Sequence, residues 1–240
     1  MELCKRKKVK AFVPVECHPK LSADSKMDER PKYYDFDQQQ IVAQIGETAF
    51  RNYMRHLQRE GTILSCCDVT DNPQYQSQDI DFVVTLPDRS RVGWEVKCDT
   101  YTTGNLFAET QVNSYSLSNT GDITSTHHAQ GWLYKSRADM IFYFFSKWNI
   151  AYLFPRAELC LWLDKTLSSR GKRYGNVLRM SAAPNKSTRD RNCIYFGVGL
   201  LVPLSMLETD LDISRKIKKV GAEYLTAPPK FIIPQKSKIV

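Results

Sequence analysis

From Asp37 to Gly61 the apolar residues Ile41, Ile45, Ala49, Tyr53 and Leu57 recur at every fourth position, with Val42 and Phe50 beside them. That spacing predicts one amphipathic helix closed by a glycine. Thr62–Cys67 then reads as a strand. Phe82-Val83-Val84 and Trp94–Lys97 read as two more, joined by the turn residues Pro87-Asp88-Arg89-Ser90. A further strand is predicted from Leu106 to Val112, with Glu109 and Gln111 on one face, and others at Ile150–Phe154 and Ile194–Leu204. Met140–Phe145 is apolar nearly all round and, with Ser136 as N-cap and Asp139 in the first turn, is expected to be a buried helix. Arg156–Leu167 is a second such helix, and Ser205–Asp212 a short third. Strands alternating with helices predict an α/β fold.

The remaining stretches lack periodicity. Residues 1–34 are expected to be a basic, loosely ordered arm with a short strand at Lys10–Val15. Tyr115–His128 reads as a flexible Ser/Thr/Asn/Gly-rich loop and 165–191 as a long basic loop within a domain spanning 35–212. Residues 213–240 read as a basic, proline-bearing tail. A chain of 240 residues suits one elaborated domain with a core that needs no staples.

Charge sharpens this picture. The formal net charge is +8, and residues 164–191 hold eight Lys and Arg against two Asp. Arg170, Lys172, Arg173, Arg179 and Lys186 lie in that segment, and five more cations stand at Lys5–Lys10. Such patches attract polyanions, and nucleic acid is the expected partner. The 7 cysteines are odd in number and form no Cys-x-x-Cys pair, which argues against a disulfide framework or zinc ribbon and for reduced thiols in an intracellular, cytoplasmic protein. No apolar run approaches membrane-spanning length. No Walker loop or dinucleotide fingerprint is present.

The chemistry concentrates in residues 79–97. Along Trp94-Glu95-Val96-Lys97 the side chains alternate, so Glu95 and Lys97 share one face. Pairing across the turn brings Asp81 toward Glu95. Asp79 has the same parity, and the choice of Asp81 rests on its place against the apolar run Phe82-Val83-Val84. Two carboxylates suit Mg²⁺, with Mn²⁺ as the alternative, since such ions take one or two protein carboxylates plus phosphate oxygens and water. An exposed Glu-x-Lys pair of solvated charges is the competing reading.

Asp81 and Glu95-Val96-Lys97 together resemble the signature of the PD-(D/E)xK nuclease superfamily, although Ile80 rather than proline precedes Asp81 and the literal Pro87-Asp88 lies in the turn. The similarity extends through Thr103–Glu109, Gly131–Asp139 and Tyr195–Leu204, covers roughly residues 38–207 and is strongest to small phage-type and resolvase-like members. It implies a restriction-endonuclease-like mixed central sheet flanked by helices, and metal-dependent hydrolysis of DNA. Asp81, Glu95 and the Val96 carbonyl would hold the ion, with Lys97 positioning or deprotonating water and Glu47 and Glu109 near the centre. Thr103, Asn105 and the basic segment are expected phosphate contacts. One active centre cuts one strand, so a double-strand cut requires a homodimer or two nicks. The alternative is a catalytically inactive binding module for nucleic acid or protein on the same fold.

Overall fold

The computed structural model describes residues 36–117, 123–174, 179–186 and 193–225, with side chains over 39–116, 124–166 and 197–225. All belong to one compact unit, Tyr33–Val240. The predicted arm, with its strand at Lys10–Val15, lies outside the described residues.

In chain order the elements are α1 (Phe36–Arg59), β1 (Ser65–Asp68), α2 (Pro73–Gln76), β2 (Phe82–Thr85), β3 (Arg91–Asp99), β4 (Asn105–Leu117) and β5 (Ile123–Gln130). There follow α3 (Trp132–Lys135), β6 (Met140–Phe145), β7 (Ile150–Pro155), α4 (Arg156–Tyr174), β8 (Arg179–Lys186), β9 (Cys193–Pro203), α5 (Leu204–Thr209), α6 (Leu211–Ser214) and β10 (Lys218–Val220). A six-stranded sheet runs β1-β2-β3-β6-β7-β10, and a four-stranded sheet runs β5-β4-β9-β8. Among the described residues only β3 and β6 pair in parallel; the other pairs are antiparallel. The fold is therefore mixed α/β, with a mixed sheet flanked by helices.

The six-stranded sheet is buried on both faces. On one, Ala49, Phe50, Tyr53 and Met54 of α1 pack on Phe82, Trp94, Phe142, Phe144 and Leu153. On the other, Ile141, Tyr143, Phe145 and Phe154 meet Leu106, Ala108, Leu200 and Val202 of the second sheet and Leu159, Trp162 and Leu163 of α4. This double burial explains why Met140–Phe145 is the central strand β6 rather than the expected helix. A strand covered on both faces is apolar at every position, and its pattern matches that of a buried helix. Its predicted cap does other work: Ser136 Oγ accepts from Ala138 N–H (3.1 Å) and donates to the Asp79 carbonyl (3.0 Å). The Asp139 carboxylate accepts from Gly93 N–H at 2.8 Å and ties the connection to β3.

Three polar stretches also differ from expectation. Tyr115–His128 contributes to the β4–β5 hairpin, whose ladder tolerates Ser, Thr and Asn because β5 is exposed. The basic segment 165–191 includes the C-terminal turns of α4 and the whole of β8. The 213–240 tail supplies β10, which pairs with β7. Among the described residues no helix is long and apolar enough to cross a membrane.

Candidate active site

The β2–β3 hairpin assembles the first part of the site. Leu86–Ser90 forms its turn: Arg89 takes φ +67°, and the exposed Asp88 carboxylate accepts from Ser90 N–H (2.9 Å) and Oγ–H (2.6 Å). Pro87-Asp88 is thus remote from the acidic cluster at the other end of the hairpin. There Asp81 clasps β3 twice: its N–H donates to the Trp94 carbonyl at 2.9 Å, and its Oδ2 accepts from Val96 N–H at 2.8 Å. Glu95 lies between these two anchor points. Asp79, at φ +50°, turns instead to Lys135 Nζ (2.9 Å). Of the two aspartates, Asp81 is therefore the one fixed beside Glu95.

Glu95 and Lys97 face the second sheet, in register with Ile141 and Tyr143 on the parallel neighbour β6. Glu95 Oε1 pairs with Lys97 Nζ, whereas Oε2 is buried with no hydrogen-bond partner among the described residues. The Glu95 side chain is only 3% exposed. Burial, reinforced by the Asp81 charge, pushes its pKa up to about 7 although Lys97 opposes the rise. Asp81 is likewise raised by burial, against the pull of Lys97 and the Val96 N–H. For Lys97, burial favours the neutral amine, but Glu95 and Asp81 outweigh it and hold the pKa above that of an ordinary lysine. Lys97 thus stays an ammonium at neutral pH. That charge suits orienting a water or a phosphate oxygen.

Glu109 arrives from the second sheet through a bulge. Ala108 pairs with Leu200, Glu109 with Gly199 and Gln111 with Val198, so Thr110 is the extra residue. Parity changes there. Gln111 faces the same way as Ala108 and away from Glu109, contrary to the expectation that Glu109 and Gln111 share a face. The bulge turns Glu109 to the side where Gly197 and Gly199 leave room. A Cβ at Gly197 would overlap Glu109 Oε2. Glu109 Oε1 accepts from Trp132 N–H at 3.3 Å; burial raises its pKa, while this bond and the Lys97 charge oppose the rise. The Trp132 ring lies over Lys97, with Nζ 5.6 Å from its centre. Trp132 thus touches both Lys97 and Glu109, a role no periodicity signals; only its position beside Gly131 in a short conspicuous motif points to it.

Glu47 approaches from α1. Gly46 lets this helix lie close to β3, since a Cβ there would sit 2.8 Å from Cys98 Cβ. Glu47 is raised first by burial and further by the charges of Asp81 and Asp68, while Arg51 counters them. Its carboxylate is held by Arg51 Nη2 at 2.9 Å, and the same nitrogen reaches Asp68 at 2.6 Å. Glu47 is therefore near the acidic cluster but latched to an arginine.

Thr103 is exposed, and Asn105 opens β4 opposite Pro203. Arg170, Lys172 and Arg173 lie in the last turns of α4, and Arg179 and Lys186 at the two ends of β8; their side chains lie outside the described ones. His128 Nδ1 lies 2.7 Å from Asn113 Oδ1, its cross-strand partner in the second sheet.

Among the described residues no three His, Cys, Asp or Glu side chains form a metal-ligand group. The set formed by Asp81, Glu95 and the Val96 carbonyl is smaller, and of the kind Mg²⁺ uses when it keeps several waters. The buried, unpartnered Glu95 Oε2 fits such an ion, because an uncompensated carboxylate oxygen is costly unless a cation or donor meets it. No family model, curated protein or solved structure matches this chain.

Proposed function

We propose that the chain is a metal-dependent nuclease of the PD-(D/E)xK type, hydrolysing phosphodiester bonds in DNA on a restriction-endonuclease-like scaffold. The observation that carries this reading is the oxygen Glu95 Oε2, buried without a partner among the described residues, beside Asp81 and one residue removed from a charged lysine. A purely structural ion pair is expected to satisfy its buried oxygens; this one leaves an acceptor without a partner among the described residues.

Asp81, Glu95 and the Val96 carbonyl would hold Mg²⁺ or Mn²⁺, which when bound supplies Lewis-acid polarisation of the scissile phosphate. The chain's own groups supply the rest. The Asp81 clasp on Trp94 and Val96 fixes the two carboxylates relative to each other. Lys97, kept charged, donates hydrogen bonds to the attacking water or a non-bridging oxygen and stabilises the negative charge that grows there. Glu109, which feels the Lys97 charge and whose pKa is raised by burial, would accept a hydrogen bond from that water. Glu47 is held by Arg51 at the edge of this arrangement.

The test is incubation of the purified protein with plasmid, linear duplex, single-stranded and branched DNA, and RNA, in Mg²⁺, Mn²⁺, Ca²⁺ or EDTA. Cleavage of DNA in Mg²⁺ or Mn²⁺, lost in EDTA and in the D81N and E95Q variants, is the expected result. Binding without cleavage in every ion would replace the enzyme with an inactive nucleic-acid-binding module.

A further inference from the structure

Beyond the acidic cluster, β3 ends in a second built feature at Asp99, two residues past Lys97 and on the same face, about 7 Å along the strand. The Asp99 carboxylate is buried and accepts from Tyr101 N–H (2.6 Å) and from Tyr143 Oη–H (3.2 Å), and its main-chain carbonyl accepts from Ser146 N–H (2.9 Å) and Oγ–H (3.1 Å). Tyr143 in turn accepts from Phe107 N–H at 3.2 Å. One residue, through its carboxylate and its main-chain carbonyl, thus anchors both loops at the C-terminal ends of the parallel pair β3 and β6, and joins them to β4.

Each loop presents an aromatic ring to solvent. Tyr101 is 51% exposed and Trp148 38%, although large aromatic side chains are normally used in the core. Trp148 is not loose: its ring stacks on buried Phe145 at 5.5 Å with planes 26° apart, and its main-chain N–H donates to the Phe145 carbonyl at 3.1 Å. Gly104 passes beneath its edge. It takes φ +68°, and a Cβ there would touch the indole at 3.4 Å. The exposed Lys147 precedes Trp148 in the chain, and the exposed Thr103 precedes Gly104.

We propose that Trp148 and Tyr101 form a stacking platform for unpaired nucleobases, with Lys147 meeting the adjoining phosphate. The inference rests on the nuclease reading for its substrate and narrows it to DNA with single-stranded character, such as ends, flaps or branches. The chemistry is direct. A rigid exposed indole backed by a second ring offers a flat apolar face that any base can cover, and a neighbouring ammonium suits the backbone that carries the base. In an uninterrupted duplex the faces of the bases are already stacked on one another, so the platform has nothing to hold there. Tyr143 and Tyr152, by contrast, are buried, and Tyr134 donates its hydroxyl to Asp164 at 2.8 Å.

The experiment measures fluorescence anisotropy of labelled oligothymidylate and of a blunt duplex of equal length, in EDTA so that nothing is cut. The full chain is expected to bind the single strand more tightly than the duplex. W148A and Y101A each weaken single-strand binding by roughly ten- to hundredfold, W148F retains most of it, and duplex binding barely moves. Y101A alters a loop side chain more than half exposed, so it reports on the platform even where W148A disturbs Phe145. Unchanged single-strand affinity in both alanine variants, or equal losses on single strand and duplex, would overturn the platform. Because the binding arm needs no catalysis, a protein that cuts nothing yet shows these losses contradicts the nuclease reading alone. One that cuts DNA while both alanine variants bind like the parent contradicts the platform alone.

Discussion

Glu95 and Asp99 are both buried acids on one face of β3, and they call for different experiments. Glu95 has an unused oxygen, so removing its charge costs little packing. E95Q is expected to lower cleavage by more than about a hundredfold, since even the residues supporting metal ligands are worth 10–100-fold, while folding and DNA affinity stay near the parent's. Plasmid relaxation alongside DNA binding in EDTA separates these effects. Asp99 has its oxygens engaged, and burial lifts its pKa from 3.8 to about 6, with the Tyr143 hydroxyl pulling the other way. A carboxyl whose folded pKa is above its unfolded one favours folding while protonated, and that contribution is lost as pH rises through about 6. D99N cannot titrate. Its stability relative to the parent should therefore improve as pH is raised from below 4 to above 6, whatever constant offset the amide introduces. Urea denaturation at several pH values reads this slope, and a flat difference would contradict it.

The decisive contacts between elements occur at glycines and at one bulge. Gly46 sets the distance from α1 to β3, and G46A forces its new methyl against Cys98. Overpacking of this kind costs about 1–3 kcal/mol, measurable as a lower urea midpoint, and it should disturb Glu47 before Glu95 because only Glu47 lies on α1. A midpoint equal to the parent's would mean that the helix and strand tolerate separation. The same elements show what the sequence makes legible. The fourfold spacing from Ile41 to Leu57 specified α1, and the parity of Glu95 and Lys97 placed both on one face, because each signal is local. Met140–Phe145 was illegible as a strand because burial on both faces erases alternation. The orientation of Gln111 was illegible because a bulge at Thr110 shifts parity without leaving a mark in composition. Trp132 was missed as a partner of Lys97 and Glu109 because that contact spans separate elements.

For the whole molecule, the formal net charge is +8, whereas Asp81 and Glu95 bring two carboxylates to one lysine, Lys97. The C-terminal turns of α4 carry Arg170, Lys172 and Arg173, and replacing all three with alanine should weaken DNA binding across sequences and lower the log–log salt slope by about one unit per lost phosphate contact. An unchanged slope in a salt titration would move the phosphate-binding surface elsewhere on the molecule. The central claim is that Asp81 and Glu95 together hold a divalent ion. Its most direct test is a Mn²⁺ titration followed by electron paramagnetic resonance, comparing the parent with D81N and E95Q. The account predicts saturable Mn²⁺ binding in the parent that is strongly weakened in each variant and tracks the loss of cleavage; equal Mn²⁺ binding in all three proteins would contradict it.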